Sequence, residues 1–193
     1  MVVPPISAAM TVKDTLRSQV RRARRQYVAS LSIDARSQLH TNLAKQVCQH
    51  LPTGITLGSY VPFSEEIDPR EIELGAARAG LRLCYPWFAA RDAPMIFRRA
   101  DAVSPGPFGF LQPSPDCPQM VPDVILLPLI AADTEGNRIG QGKGHYDRFL
   151  AGHRASTIGL AYDVQIVASI SRDPWDIALD AIATPTRWIE IGG

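Results

Sequence analysis

At 193 residues and 21.1 kDa, with 46% hydrophobic and 20% charged residues, the chain has the size and balance of one soluble globular domain. That composition excludes disordered, collagen-like and coiled-coil classes. The longest apolar stretch, Val121 to Ala132, is broken by Pro122, Asp123 and Pro128, so no membrane-spanning segment is expected. The net charge of +1 hides an asymmetry: residues 1–25 hold Lys13, Arg17, Arg21, Arg22, Arg24 and Arg25 against Asp14 alone, a local +5 that leaves −4 for the rest. A basic start of this kind suits an anionic partner, either nucleic acid or something smaller such as a nucleotide.

In chain order, Val2 to Met10 is apolar, but no positive residue precedes it and Pro4 and Pro5 break it, so it reads as a loose N-terminal tail (residues 1–10) rather than a secretory signal. Residues 11–193 are then expected to form a single domain. From Thr11 to about Ser30, Leu16, Val20, Ala23, Tyr27 and Leu31 recur at spacings of three and four, which predicts an amphipathic helix. Ser32 is an N-cap, and Leu39, Leu43, Val47 and Leu51 repeat every four residues until Pro52 and Gly54 stop a second helix. The expected opening is a helical hairpin.

Ile55 to Val61 is short and rich in β-formers, and predicts a strand ending at Pro62. Asp68 as N-cap, Pro69 at the first helical position and a backward-capping Glu71 predict a helix to about Gly80, followed by a strand at Leu81 to Tyr85. Such a strand, helix, strand unit implies neighbouring parallel strands. Residues 86–120 are rich in Pro and Gly and are expected to be loops, with Met95 to Arg98 as an edge strand. Val124 to Leu129 is continuously apolar, as in a strand buried on both faces at the centre of a fold. Tyr146 to Ala151 predicts a helix, Thr157 to Ala161 a buried strand and Trp188 to Ile191 a last one. These elements suggest an α/β fold: a three-layer α/β/α single domain with a mixed, largely parallel, Rossmann-like central sheet.

Cys48, Cys84 and Cys117 are odd in number and far apart, with no C-x-x-C, which fits a reducing cytoplasm. The chemistry concentrates in Asn137-Arg138-Ile139-Gly140-Gln141-Gly142-Lys143-Gly144-His145-Tyr146-Asp147-Arg148, after the central strand and opening a helix. Glycines at 140, 142 and 144 let the backbone turn sharply and bring amide N–H groups towards an anion, which a helix N-terminus also favours. Lys143 and Arg138 would add charge-assisted bonds to a phosphate, and Asp147 could hold a divalent cation bridging phosphate oxygens. The spacing matches neither a Walker A loop nor the dinucleotide fingerprint, so a tight structural turn stays open beside the ligand loop.

With its flanks, this segment resembles the signature of the 5-formyltetrahydrofolate cyclo-ligase (5,10-methenyltetrahydrofolate synthetase) family. The likeness rests on Leu127-Pro128-Leu129, Asp133, Gly136-Asn137-Arg138, the alternating glycines and Tyr146-Asp147-Arg148-Phe149-Leu150. It extends to Lys13-Asp14-Thr15-Leu16-Arg17, to Tyr60-Val61-Pro62 with Glu65-Glu66-Ile67-Asp68, and to Gly159-Leu160-Ala161-Tyr162, Gln165, Asp176 and Asp180, so it runs from about residue 12 to 184. The chain departs from the pattern at His145, where a tyrosine is usual, at Gln112, where a glutamate is common, and at Ala131-Ala132, where an aromatic often precedes the aspartate.

The resemblance implies an ATP-dependent ligase of one-carbon metabolism that converts 5-formyltetrahydrofolate to 5,10-methenyltetrahydrofolate and releases ADP and phosphate. It implies catalytic roles for Lys143 and Arg138, and ATP contacts from Lys13, Arg17, Arg138, Ile139, Gly140, Gln141, Gly142, Lys143, Gly144, His145 and Tyr146. Asp147 and Asp176 would bind Mg²⁺, and Val61, Glu66, Phe108, Phe110, His145 and Tyr146 would bind the folate. The expected state is a cytoplasmic monomer with small-molecule substrates and no nucleic-acid or membrane partner. Two other readings stand beside it: a nucleic-acid-binding module using the basic first helix, and another phosphate-binding enzyme built on the same glycine loop. His40, His50 and His153 are expected at the surface, and Trp87, Trp175 and Trp188 in packing.

Overall fold

A computed structural model describes residues 11–100 and 103–192; the expected tail, residues 1–10, lies outside the described residues. Helix α1 (Val12–Ser30) starts at Thr11, whose hydroxyl accepts from the Asp14 N–H while the Asp14 carboxylate accepts from the Thr11 N–H, a reciprocal cap. Helix α2 (Ile33–Cys48) is capped by Ser32. Strand β1 (Thr56–Gly58), helix α3 (Arg70–Arg78) and strand β2 (Arg82–Trp87) form the expected unit, with β1 and β2 parallel. Helix α3 begins at Arg70, whose N–H is bound by Asp68 at 2.9 Å, and no cap from Glu71 forms.

Strands β3 (Ile96–Arg98), β4 (Val103–Pro105), β5 (Leu111–Pro113) and β6 (Gln119–Met120) occupy the stretch expected to be loops. Strand β3 is not an edge strand, because β6 pairs along its outer side. The β4–β5 pair is a separate hairpin, in which Pro105 and Pro113 close the strand ends where a missing N–H disrupts least. Strand β7 (Val124–Pro128) follows, then the two-residue strands β8 (Ala131–Ala132) and β9 (Arg138–Ile139), helix α4 (His145–Gly152) and strand β10 (Ser156–Leu160). A 3-10 turn at Asp163–Gln165, strand β11 (Ala181–Ala183) and strand β12 (Trp188–Glu190) complete the order.

The main sheet has eight strands in the order β12-β11-β10-β7-β1-β2-β3-β6. Its five inner members from β11 to β2 are parallel, and antiparallel pairs flank them on both sides. Strand β7 is central, as its unbroken apolar run predicts, and alternation sorts its side chains between two cores. Val124 and Leu126 join Leu43, Val47, Ile72 and Ala76 under α2 and α3, whereas Ile125 and Leu127 join Phe97, Phe149 and Ile182 on the α4 side. Helix α2 lies against α3, and α1 against the 3-10 turn, so the first helix spreads over the carboxyl end of the sheet. The layers are therefore those of a mixed, largely parallel α/β fold. Trp175, expected in packing, is 72% exposed; His50 stacks on Trp188 and His153 on Phe149.

Among the described residues no helix is long and apolar enough to cross a membrane. Cys48, Cys84 and Cys117, all among the described residues, form no disulfide.

Candidate functional site

The glycine loop leaves the carboxyl end of β7 through the β8–β9 hairpin, a position where open parallel sheets place their ligands. Asp133 fixes that hairpin. Buried at 1% exposure, its carboxylate accepts from the N–H groups of Glu135, Asn137 and Ile170 and from the Asn137 side chain at 2.8–3.1 Å. Gly136 turns the chain in the left-handed region, at φ +83, and the strand that follows delivers Arg138 and then Gly140. Gly142 and Gly144 also have positive φ, and Gly144 is the residue from which α4 starts.

Helix α1 lays a stripe of cations along this loop. Lys13 lies 2.5 Å from Asp173 and 2.6 Å from Asp176, Arg17 donates to the Gly140 carbonyl at 3.1 Å and pairs with Asp14, and Arg21 donates to the Gln141 side chain. Arg24, only 4% exposed, donates to the Leu129 carbonyl at 3.2 Å while its Nε is without a hydrogen bond. Arg25 pairs with Glu65 at 3.2 Å. Spacings of four, four and three put residues 13, 17, 21 and 24 on one helix face. Of the cluster from Arg21 to Arg25, Arg21 and Arg24 are thus turned onto the chain itself, whereas Arg22 and Arg25 are exposed.

Burial works against the Lys13 ammonium, but hydrogen bonds to Asp173 and Asp176 outweigh it and hold its pKa above the ordinary value. Burial likewise opposes the charged Asp176; the bonds from Lys13 and from the Asp173 N–H, with the charge of Arg138 nearby, leave its pKa lowered. Arg138, whose side chain is 9% exposed, donates to Asp147 at 2.5 Å and to the Ile177 carbonyl. Since the Ile177 N–H also approaches Asp147 at 3.5 Å, the segment carrying Asp176 is pinned beside Asp147. Lys143 is exposed and makes no hydrogen bond with the described residues, so its ammonium is free to meet a ligand.

On the other side of the loop lies a carboxylate with aromatic rings. Glu66, 6% exposed, accepts from the Phe63 N–H and from the Gln141 side chain, both at 2.9 Å. The His145 ring sits edge-on to Phe88 at 4.8 Å and Phe108 at 5.6 Å between centroids, and Phe110 stacks on Phe108 at 6.0 Å. Burial lowers the His145 pKa, and the neighbouring charges of Arg148 and Lys143 add to it, so the ring is neutral at pH 7. Burial raises the Tyr146 pKa, and the charge of Glu66 adds to the effect. Val61 stands apart, half exposed on a groove of about 740 Å³ shared with Tyr60, Glu73, Tyr85 and Leu111.

Several residues of this site carry no signal in the sequence taken alone. Phe88 is one, and Gln112 clamps it: the Gln112 amide accepts from the Phe88 N–H at 3.2 Å and donates to the Phe88 carbonyl at 3.0 Å. A glutamine satisfies both backbone groups at once, which an ionised glutamate cannot do. Asp173 is another, recognisable only once Lys13 is brought to it across 160 residues. Gln165 ties down the end of β7 through the carbonyls of Leu129 and Ile130.

The sequence from residue 9 to 185 matches the model of the 5-formyltetrahydrofolate cyclo-ligase family. The chain belongs to that family. A 5-formyltetrahydrofolate cyclo-ligase of Mycolicibacterium smegmatis is 29% identical over 192 residues, covering 93% of this chain and 89% of its own length. Another from Escherichia coli K12 is 28% identical over 143 residues, covering 68% and 79%. The solution structure of a 5,10-methenyltetrahydrofolate synthetase from Aquifex aeolicus superposes with a TM-score of 0.78 at 25% identity, over 95% of this chain and 94% of that one. The synthetase of Mycoplasma pneumoniae gives 0.71 at 25%, over 91% and 99%. Within this cyclo-ligase the cation stripe and the Glu66–aromatic wall both meet the glycine loop at residues 140–146.

Proposed function

We infer that the protein is an ATP-dependent 5-formyltetrahydrofolate cyclo-ligase, which closes the formyl group of N5 onto N10 to give 5,10-methenyltetrahydrofolate, ADP and phosphate. The observation that carries this reading is the two-sided glycine loop. Lys13, Arg17, Arg138 and Lys143 stand on the side suited to a triphosphate, while Glu66, His145, Phe108 and Phe110 stand where a flat, hydrogen-bonding heterocycle can sit.

The reaction needs such a meeting. The formyl oxygen is a poor leaving group until phosphorylated, so it attacks the γ-phosphorus as ADP departs. N10 then attacks the activated carbon, the C–O bond breaks, and phosphate leaves together with the N10 proton. In this reading Lys143 and Arg138 neutralise charge on the transferring phosphoryl group, helped by the amides of Gly140 to Tyr146, and Lys13 and Arg17 hold the rest of the triphosphate. Glu66 accepts hydrogen bonds from the pterin edge, and the rings at 108, 110, 145 and 146 wall it from water.

For a magnesium ion the donor set is Asp147 and Asp176. Among the described residues no group of three or more His, Cys, Asp or Glu gathers as a self-sufficient metal site. Two carboxylates nevertheless suit an ion that brings phosphate oxygens and waters as its remaining ligands. Both acids are held by cations, Asp147 by Arg138 and Asp176 by Lys13, and arriving phosphates can take over those cations. Bound there, the ion would supply charge neutralisation on the phosphate oxygens.

The test is an absorbance assay for methenyltetrahydrofolate with 5-formyltetrahydrofolate, Mg²⁺ and ATP, omitting each in turn. Product is expected only in the complete mixture. Product forming equally without ATP, or not at all, overturns the reading.

A further inference from the structure

Arg21, Gln141, Glu66 and the Phe63 N–H form one unbroken chain of hydrogen bonds across three segments distant in sequence. The Arg21 guanidinium donates to Gln141 Oε1, Gln141 Nε2 donates to Glu66 Oε1 at 2.9 Å, and Glu66 Oε2 accepts from the Phe63 N–H at 2.9 Å. Gln141 therefore uses its acceptor on the cation stripe of α1 and a donor on the carboxylate of the aromatic side. Its backbone lies between Gly140, whose carbonyl holds Arg17, and Gly142, whose position a Cβ would bring to 3.6 Å from the Arg17 guanidinium.

We propose that Gln141 is the positioning residue through which a nucleotide on the glycine loop sets the Glu66 carboxylate for the second substrate. The proposal rests on the cyclo-ligase reading above. Glycines on both sides leave the Gln141 backbone free to shift, and phosphates that engage Arg17 and the loop amides act on that backbone and on its Arg21 partner together. Among the described residues the Glu66 carboxylate has one side-chain tie, to Gln141, and one main-chain tie, to Phe63. A change at Gln141 thus leaves the carboxylate bound at one oxygen only, free to turn about that bond. Since coupling between two ligands is reciprocal, the folate analogue must tighten the nucleotide by the same factor.

The test measures binding rather than turnover. Dissociation constants of 5-formyltetrahydrofolate are determined by calorimetry on the full chain, with and without adenylyl-imidodiphosphate and magnesium, for the wild type, Gln141→Met and Arg21→Met. Methionine keeps the length of the glutamine side chain and the apolar stem of the arginine while removing their hydrogen bonds. In the wild type the nucleotide analogue should tighten the folate by about fivefold or more, within the ordinary range of coupling. In both variants that ratio should fall to about one, whatever the change in each single-ligand constant; circular dichroism establishes that the variants are folded. A wild type with no coupling, or a Gln141→Met protein that keeps the full ratio, overturns the relay while leaving the cyclo-ligase reading intact. A folded wild type that binds neither ligand overturns both.

Discussion

Arg138 and Asp147 are locked together 2.5 Å apart on the two arms of the glycine loop, and the same guanidinium reaches the Ile177 carbonyl beyond. Asp147→Ala removes the only carboxylate among the described residues that pairs with Arg138 and leaves a side chain of 9% exposure with the Ile177 carbonyl as its remaining described partner. Removing one partner of a buried ion pair costs up to about 3–5 kcal/mol, so the variant should unfold at lower urea. If Asp147 also meets the ion carried by the nucleotide, turnover should fall at least about tenfold in the protein that remains folded. Stopped assays on protein verified as folded separate the two effects, and undiminished turnover would remove Asp147 from the site.

Much of this arrangement was legible in the residues. The apolar run at 124–129 announced the central strand because a strand covered on both faces has no polar period, and the alternating glycines announced the sharp turns that Gly142 and Gly144 make with positive φ. The β8–β9 hairpin was not legible: each strand is two residues long, and its geometry comes from the Asp133 carboxylate gathering four donors, which leaves no periodicity. Nor was the fate of the basic cluster. Helical spacing aligned Arg24 with Arg17 and Arg21, but its burial follows from α1 lying over the end of β7, a tertiary fact. The stretch 86–120 was misjudged because proline content argues against central strands yet permits the ends of short hairpins.

The Lys13–Asp173–Asp176 triad sets a pH window. Asp176 has a pKa below its ordinary 3.8, so its contribution to stability is complete above about that pH and is lost as pH falls through the lower native value. Lys13 is raised above 10.5, so its contribution is complete below that pH and lost only as pH rises through the still higher native value. From about pH 5 to 9 the triad should therefore be intact. The difference in urea midpoint between wild type and Asp176→Asn should be constant across that range and shrink in more acidic solution. A difference that already declines at pH 6 would show another group to be responsible.

His145 stands where a tyrosine is usual, wedged edge-on between Phe88 and Phe108. With its pKa lowered from 6.5 by burial, it is neutral in the assay range and acts as a flat ring rather than a charge. His145→Tyr should keep kcat and the folate KM within about threefold, whereas His145→Ala, which strips the wall, should raise the folate KM about tenfold and affect the ATP KM less. Because the native pKa is depressed, the stability tied to this ring is complete above about pH 6.5 and declines below it; the tyrosine variant should lose that decline. A His145→Tyr protein without activity would make the imidazole itself a participant in the reaction.

Two glycines in the same segment should respond to alanine in opposite ways. Gly136 has φ +83, and a Cβ there would lie 2.9 Å from the Leu179 carbonyl oxygen and 3.0 Å from Ile191 Cγ2. The left-handed conformation alone costs a non-glycine residue about 1–2 kcal/mol, and the backbone oxygen cannot step aside because the Leu179 N–H is bound to the Gly136 carbonyl at 3.0 Å. Gly136→Ala should thus destabilise the fold by about 2–3 kcal/mol and lower the melting temperature by roughly 4–12 °C. At Gly140 nothing lies within 4 Å of the added carbon and φ is not positive, so Gly140→Ala should melt with the wild type. That open space is where the phosphates are proposed to approach, and the methyl group should raise the ATP KM about tenfold or more with little change in the folate KM. Calorimetric melting and steady-state kinetics on the two proteins decide the matter: a destabilised Gly140→Ala, or one with unaltered ATP KM, would place the triphosphate elsewhere.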